Sequence, residues 1–239
     1  MNKKLVVITG AGSGIGKAIA FEFAKNGYQL LLLDRSGNAA ELDLPMAMAK
    51  QVDVTNMEDF KNAVIEAEKK FGPVGCLVNN AGVMLLGRLE NQDPKEWQKM
   101  FDVNVLGVLN GIKSVLNPML ERKSGTIVNI SSIAGKKTFP DHAAYCATKF
   151  AVHALTENLR QESAKYGVRC VTIAPGVVET SLLTHTTSKE IKDSYTDWKE
   201  QMGGGLHPED IARAVVFAYE QPPHVCIREL VIAPTNQEP

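Results

Sequence analysis

The sequence predicts an α/β fold, a doubly wound sheet of about seven parallel strands with helices on both faces. Short β-branched apolar runs alternate with longer helical patterns along all 239 residues, which is typical of a parallel sheet covered on both sides. The run 29–34 is almost continuously leucine, as expected for a strand buried on both faces. With 44% apolar residues the chain can bury a single core, so we expect one domain over 1–239.

The predicted elements follow one another without a repeat or a linker. Each strand is a short run rich in Val, Ile or Leu, and each helix repeats its apolar residues at helical spacing. The first helix stops at Gly27, because glycine commonly ends helices. The predicted strands are 5–9, 29–34, 47–51, 76–79, 126–131, 168–174 and 228–233. The predicted helices are 14–26, 56–71, 94–122, 143–166 and 208–220.

The segment at about 181–207 shows no strong periodicity. It is too long for an ordinary connection, and long irregular segments in enzymes are often lids over a substrate. The three consecutive glycines at 203–205 could act as its hinge. We therefore predict a substrate lid here.

Composition and charge exclude several classes of protein. A formal net charge of −1 provides no basic stripe for nucleic acid and no polybasic membrane anchor. The apolar run after Lys3 and Lys4 is about four residues long, short of the roughly 7–15 of a signal peptide. The four cysteines occur singly and without the spacing of a zinc site. We therefore expect no metal, reduced thiols and a cytoplasmic location.

A glycine-rich turn follows the first predicted strand. Glycines stand at 10, 12, 14 and 16, between a buried strand and a helix, and in this context the pattern indicates a dinucleotide site. Backbone N–H groups at the start of the helix can then bind a pyrophosphate, as in Rossmann-type folds. The candidate cofactor contacts in this turn are Gly10, Gly12, Ser13, Gly14, Ile15 and Gly16.

The end of the second strand bears on which cofactor is used. Asp34 lies where a carboxylate can accept hydrogen bonds from the adenosine ribose hydroxyls. This charge would repel the 2′-phosphate of NADP, whereas the neighbouring Arg35 could pair with it. We expect NAD, with NADP possible. Asp53 is equally consistent with a cofactor contact and with an N-terminal helix cap.

Three residues in the second half of the chain suggest proton chemistry. Tyr145 and Lys149 stand four positions apart in a predicted helix and therefore share one face. An ammonium beside a phenol makes the phenolic proton easier to remove. Ser132 precedes the tyrosine by thirteen positions, and its neighbour Ser131 is the rival candidate. By itself the tyrosine–lysine spacing is more often a solvated pair.

In combination, these residues resemble the short-chain dehydrogenase/reductase family over nearly the whole chain. The resemblance is carried by Thr9-Gly10-x-x-x-Gly14-x-Gly16, Asp53-Val54, Asn79-Asn80-Ala81-Gly82, Asn104, Ile130-Ser131-Ser132, Tyr145-x-x-x-Lys149 and Pro175-Gly176-x-Val178-x-Thr180. It implies hydride transfer between a nicotinamide and a carbinol or carbonyl carbon. The acid or base is then Tyr145, and Ser132, at the family spacing, binds the substrate oxygen.

The resemblance also implies roles for the remaining motif residues. Lys149 is similar to the lysine that holds the nicotinamide ribose, and the backbone carbonyl of Asn104 would hold a water for proton relay. Without the family, Asn104 reads as a satisfied core amide. Residues at three strand ends are expected to contact the cofactor: Asp53, Val54, Asn79, Asn80, Ala81, Gly82, Pro175, Gly176, Val178 and Thr180.

Substrate contacts are expected from three segments near these motifs. The candidates are Met84, Leu85, Leu86, Lys136, Lys137, Phe139, His142, Leu182, Leu183, His185, Tyr195, Trp198 and Met202. This mixture suits a small hydroxy or keto compound, with or without an acid group. The competing interpretation of His142 is a surface residue at the start of a helix.

Two C-terminal runs, 208–212 and 228–235, resemble the branch of bacterial 3-hydroxy acid and serine dehydrogenases. That branch usually prefers NADP, and Asp34 departs from this preference. Family members commonly form subunit contacts through the two long helices that here begin at Pro94 and Ala143. We therefore expect a homotetramer or homodimer. The alternative is a non-catalytic dinucleotide-binding regulatory protein, which would need only the glycine turn and Asp34. Ser132, Tyr145 and Lys149 argue against it.

Overall fold

The computed structural model describes residues 3–238, and at its centre lies one seven-stranded parallel sheet. The strand order is β3-β2-β1-β4-β5-β6-β7. The strands are β1 (Leu5–Thr9), β2 (Gln29–Asp34), β3 (Ala47–Gln51), β4 (Val74–Asn79), β5 (Gly125–Ile130), β6 (Val168–Pro175) and β7 (Glu229–Ile232). This confirms the predicted Rossmann-type α/β fold. Residues 1, 2 and 239 of the predicted domain lie outside the described part.

Helices cover both faces of the sheet. They are α1 (Gly14–Lys25), α2 (Met57–Phe71), α3 (Pro94–Phe101), α4 (Gly107–Glu121), α5 (Ala143–Ser163), α6 (Lys189–Gln201) and α7 (Pro208–Glu220). α1 and α7 pack on one face, around Ile19, Phe23 and Val215. α2, α4 and α5 pack on the other, around Phe60 and Ile112. Strands β1, β4 and β5 are buried along their whole length because helices cover both their faces.

The structure differs from the predicted elements in two of the long helical stretches. The predicted helix 94–122 is α3 and α4 joined by one π-helical turn at Asp102–Leu106. The predicted helix 143–166 is α5 followed by a 3₁₀ turn at Ala164–Tyr166. Such π turns frequently mark functional sites, and this one contains Asn104.

The segment 181–207 contains more regular secondary structure than the sequence pattern predicts. It contains a 3₁₀ turn at Ser181–His185 and the α6 helix, which Ser188 caps by accepting a hydrogen bond from the N–H of Ile191. The spacing of Ile191, Tyr195 and Trp198 is helical and could have revealed α6. Over residues 3–238, no helix is long and apolar enough to cross a membrane.

Candidate active site

A cavity of about 740 Å³ opens at the carboxyl ends of the strands, which is where ligands bind in open α/β sheets. The strand order reverses between β1 and β4: β2 and β3 lie on one side of β1, and β4 to β7 continue on the other. The predicted site residues that line it are Gly10, Ser13, Gly14, Ile15, Asp34, Arg35, Asp53, Val54, Asn80, Ala81, Gly82, Ser132, Tyr145, Lys149, Pro175, Gly176, Val178 and Thr180.

Two of the predicted glycines support the turn without lining the cavity. A side chain at Gly16 would place its Cβ 2.1 Å from the carbonyl oxygen of Gly10, so the glycine allows α1 to pack against the turn. A Cβ at Gly12 would lie 2.8 Å from the Asp34 carboxyl carbon. Gly10 itself has a φ of +63°, a left-handed conformation that glycine adopts readily.

The Asp34 carboxylate fastens the glycine turn to the end of β2. It accepts hydrogen bonds from the N–H of Gly12 at 3.1 Å and from the N–H and hydroxyl of Ser36. Ser36 also lines the cavity, although the sequence reading did not single it out. Asp34 therefore has a structural role in addition to any contact with a ribose.

Asp53 is not the cap of the following helix, since Asn56 caps α2 by accepting from the N–H groups of Glu58 and Asp59. The Asp53 carboxylate instead accepts from the N–H and hydroxyl of Thr55. Its pKa is lowered: burial acts upward, but the Thr55 hydrogen bonds and the positive charge of Arg35 prevail. Asp53 thus stays ionised beside Arg35 in the cavity wall.

The predicted Asn79-Asn80 pair divides between the sheet and the cavity. Asn79 lies inside the sheet and donates to the side chain of Asn129 at 2.9 Å, away from the cavity lining. Asn80 lines the cavity and donates from its side chain to the carbonyl oxygen of Thr9 at 2.9 Å. The Thr9 hydroxyl in turn accepts from the N–H groups of Asn80 and Ala81. These hydrogen bonds join the ends of β1 and β4 next to the glycine turn.

Ser132 and its rival Ser131 both line the cavity, but their hydroxyls have different partners. The Ser132 hydroxyl caps a 3₁₀ turn by accepting from the N–H of Ala134. Ser131 is buried, donates to the Lys149 carbonyl oxygen at 3.2 Å and lies 2.9 Å from Nδ1 of His153. A polar chain continues from His153 Nε2 to Glu229, 3.1 Å away. The Ser131 hydroxyl is therefore occupied by a buried polar network, which leaves Ser132 as the better candidate.

Tyr145 and Lys149 are both buried on the cavity-facing side of α5. The Lys149 Nζ lies 5.7 Å from the centre of the Tyr145 ring and donates to the Ile130 carbonyl oxygen at 3.1 Å. Burial lowers the pKa of Lys149 to about 8. Burial also raises the pKa of Tyr145, reinforced by Tyr195 and opposed by a hydrogen bond with Ser132. Lowering the tyrosine pKa below its ordinary value therefore requires further positive charge.

Asn104 lies in the π turn behind this wall and does not line the cavity. Its side-chain oxygen accepts from the N–H of Val83 at 2.8 Å, and its Nδ2 donates to the Val83 carbonyl and the Thr148 hydroxyl. The side chain is thus a satisfied core amide that fixes the loop after β4. The same oxygen would lie 3.3 Å from a Cβ placed on Gly82.

Most, but not all, of the predicted substrate contacts line the cavity. The predicted residues that line the cavity are Met84, Lys137, Phe139, His142, Leu182, Leu183, His185, Tyr195 and Trp198. Leu85 and Leu86 are buried in the cluster beneath the 181–207 segment, and Met202 does not line the cavity. Lys136 points away and pairs with Glu229 at 2.9 Å.

His142 faces the cavity. Its ring centre lies 6.3 Å from that of Tyr145 and 6.1 Å from that of Tyr195. Burial lowers the pKa of His142, although a hydrogen bond to Pro140 and the charge of Asp141 oppose the shift. A neutral imidazole therefore stands beside the candidate acid/base residue.

Several residues that line the cavity were not predicted from the sequence. Gln237 and Glu238 come from the C-terminal tail, and Ile191, Ser194 and Lys199 come from α6. The tail carries no recognisable motif, so only the fold brings it to the cavity. Over residues 3–238, no cluster of three or more His, Cys, Asp or Glu side chains is arranged to hold a metal ion.

Comparisons with known proteins agree on the family. The family model described as short chain dehydrogenase matches residues 4–191. An uncharacterized oxidoreductase of Staphylococcus saprophyticus is 41% identical, covering 98% of this chain and 97% of the relative. One of Listeria monocytogenes is 39% identical, covering 99% and 98%.

Solved structures give the same answer. A serine dehydrogenase complexed with NADP+ superposes with a TM-score of 0.90 at 29% identity, covering 98% of this chain and 96% of that one. An alcohol dehydrogenase from the archaeon Thermococcus sibiricus, complexed with 5-hydroxy-NADP, superposes with a TM-score of 0.85 at 30% identity, covering 99% of both chains. The fold, the site geometry and these matches together show that the chain belongs to the short-chain dehydrogenase family.

Proposed function

We propose that the protein is an oxidoreductase that transfers a hydride between a nicotinamide dinucleotide and the carbinol or carbonyl carbon of a small hydroxy or keto compound. One observation carries the proposal. Ser132, Tyr145 and Lys149 line one cavity together with the glycine turn at the start of α1. A hydride can therefore be exchanged at a substrate carbon while a proton is exchanged at the oxygen bonded to that carbon.

The start of α1 fits the pyrophosphate of such a cofactor. Ser13 forms no side-chain capping hydrogen bond, so no side-chain oxygen from this residue competes for the first N–H groups of the helix. Asp34, Arg35 and Asp53 would hold the adenosine end, and Lys149, Val178 and Thr180 the nicotinamide end. When bound, the cofactor supplies or accepts the hydride.

We expect NAD to be preferred over NADP because the Asp34 carboxylate would repel a 2′-phosphate. Arg35 and the Ser36 hydroxyl lie at the same end of the cavity and favour the opposite choice. Two similar structures hold NADP+ or an NADP analogue. The comparison of Asp34 with Arg35 therefore makes cofactor choice a direct test of the charge argument.

The chain's own residues carry the proton. In the oxidative direction Tyr145 removes the hydroxyl proton of the substrate, and in the reductive direction it returns one to the carbonyl oxygen. Ser132 supplies a hydrogen bond to that oxygen and stabilises its developing charge. The Lys149 ammonium favours the tyrosinate electrostatically. Asn104 holds the loop around Gly82 and Val83 in place beside this group.

We propose that residues 181–207 act as a lid. The Lys199 ammonium lies 2.7 Å from Glu179, whose other oxygen accepts from the N–H of Gly205. These contacts join Glu179, which lies just before the segment, to the part of the segment around the glycines at 203–205. Closing α6 over the cavity would exclude water from the reacting carbon.

We also propose a cytoplasmic homotetramer or homodimer. Apolar side chains are exposed on α3, α4 and α5 and in the π turn between them, namely Phe101, Leu106, Leu109 and Phe150. A solvent-exposed apolar group of this kind commonly marks a contact between subunits. Light scattering at working concentration should give two or four times the 26.0 kDa chain mass. A monomer would contradict the assembly.

The function is tested by the absorbance of the reduced nicotinamide during incubation with alcohols, hydroxy acids and ketones, using NAD(H) and NADP(H) separately. We expect turnover of at least one small hydroxy or keto compound. Binding of either cofactor without turnover of any compound would contradict the proposal and favour a dinucleotide-binding regulator.

A further inference from the structure

The C-terminal tail places one glutamine in the wall of the cavity. Gln237 is 8% exposed, lines the cavity and contacts the segment that follows β6. Its side-chain oxygen accepts a hydrogen bond from the N–H of Val177 at 2.9 Å. Its Nε2 is buried and has no hydrogen-bond partner within residues 3–238. A buried N–H₂ group without an acceptor is unfavourable and uncommon in folded proteins.

The fold holds this side chain in a defined position. The Gln237 N–H donates to the Pro234 carbonyl oxygen at 2.9 Å, closing a turn in the tail. A Cβ on Gly176 would lie 2.1 Å from the Gln237 side-chain oxygen, so the absence of a side chain at Gly176 makes room for the amide. Because Val177 uses the oxygen, the amide orientation is determined and the Nε2 is the group left to bind something else.

The surroundings of the tail indicate that the missing acceptor for the Gln237 Nε2 lies on the proposed substrate side. The side chain of Asn236 donates to the Met202 carbonyl oxygen at 3.4 Å, at the end of α6. The N–H of Leu206 donates to the Val177 carbonyl oxygen, so the C-terminal end of the proposed lid contacts the same residue as the Gln237 side chain.

We propose that Gln237 is a substrate-recognition residue whose Nε2 donates a hydrogen bond to a second acceptor oxygen of the substrate. This rests on the proposed oxidoreductase function. Ser132 and Tyr145 already serve the oxygen on the reacting carbon, so the third donor serves a different carbonyl, ester or hydroxyl oxygen. The substrate class is accordingly a ketone or alcohol that carries another oxygen within a few carbons.

The proposal is tested with three pairs of ketones in which an ester replaces two methylene groups. The pairs are methyl pyruvate with methyl propyl ketone, methyl acetoacetate with methyl butyl ketone, and methyl levulinate with methyl pentyl ketone. For each pair, the ratio of kcat/KM for the ester to that for the simple ketone is measured in the wild type and in variants. General damage to the site lowers both members of a pair and leaves the ratio unchanged.

Two variants remove the donor in different ways. Gln237→Glu keeps an oxygen for the N–H of Val177, and Gln237→Met removes both polar atoms without adding charge. Gln161→Glu is the matched control, because Gln161 is exposed on α5 and lies outside both the cavity lining and the proposed lid. Melting temperatures with bound cofactor verify that each variant is folded.

In both Gln237 variants we expect the ratio for at least one pair to fall about tenfold, the size of a single hydrogen bond, with no change in the control. Unchanged ratios for all three pairs would overturn the proposal. An equal loss for both members of every pair with a raised KM for the cofactor would overturn it too, because the acceptor would then belong to the cofactor. Absence of turnover with all six ketones in the wild type would instead contradict the proposed function, and this assignment with it.

Discussion

The two ends of the cavity are built in different ways. At the cofactor end, the contacts that shape the site are made by backbone groups and short side chains at strand ends, such as Thr9 and Asn80. At the substrate end, the wall consists of larger side chains from α6, the 139–142 turn and the C-terminal tail. A dinucleotide requires a fixed backbone cradle, whereas a substrate pocket depends on side chains that can change without altering the sheet.

This difference predicts that substitutions at one end leave the properties of the other end unchanged. The proposed catalytic group lies between the ends, since Ser132 follows β5 and Tyr145 lies near the start of α5. The strongest effects on rate should therefore come from this middle region. Effects on cofactor choice and on substrate choice should separate.

The largest effect in this series is expected for Ser132. Ser132→Ala removes a hydrogen bond to the substrate oxygen and should lower kcat by about 10²–10³-fold. Ser131→Ala is the matched control, because Ser131 faces His153 and the Lys149 carbonyl; we expect it to lose less than about tenfold. Steady-state rates with one ketone measure both. A greater loss in Ser131→Ala would move the catalytic hydroxyl to the neighbouring residue.

At the cofactor end, Asp34→Asn removes the charge while keeping the shape of the side chain. The ratio of kcat/KM for NAD to that for NADP should fall by about tenfold or more, because the repulsion of the 2′-phosphate is lost. The ranking of substrates should stay the same. Asp197→Asn, on the exposed side of α6, should change neither. A wild-type preference for NADP would show that Arg35 and Ser36 dominate.

At the substrate end, Trp198→Leu should do the reverse. The indole lines the cavity and contacts Tyr195 with ring centres 5.4 Å apart. Its loss should raise the KM of the larger ketones about three- to tenfold through reduced apolar contact, with the KM of the cofactor within twofold of the wild type. Kinetics with varied ketone and varied cofactor measure the two separately. Equal changes in both constants would break the separation of the two ends.

The smallest effect concerns stability and Lys149. Burial lowers the pKa of this lysine to about 8 from its ordinary 10.5, so the unfolded chain binds more protons than the folded protein between these values. Stability should therefore rise as the pH increases through this window, by about 1–2 kcal/mol between pH ~7.5 and ~9.5. Urea unfolding at both pH values should show this rise in the wild type relative to Lys149→Met. An equal pH dependence in both proteins would mean that Lys149 titrates normally.

The same division explains what could be predicted from the sequence. The strands were predictable because buried parallel strands leave continuous apolar runs, as 29–34 does. The positions of Asp34 and Asn80 followed from the strand ends. The roles of Gly12 and Gly16 as packing glycines required the structure, since the pattern alone does not distinguish a glycine that faces a ligand from one that faces its own chain.

The substrate end was less predictable for physical reasons. α6 has no fully buried residue, so its apolar stripe of Ile191, Tyr195 and Trp198 is diluted by charged neighbours. Gln237 lies in a short tail without periodicity, and contacts formed only in the folded chain, such as that with Val177, bring it to the cavity. The π turn around Asn104 likewise leaves no mark that distinguishes it from a continuous helix.

The central claim, that Tyr145 transfers the proton, is tested most directly by turnover of Tyr145→Phe beside its matched control Tyr195→Phe. Both substitutions remove one phenolic hydroxyl from the cavity. We predict that Tyr145→Phe lowers kcat by about 10²–10⁴-fold with the cofactor Kd unchanged within twofold, while Tyr195→Phe keeps kcat within tenfold. A Tyr145→Phe enzyme that turns over ketones at the wild-type rate would contradict the account.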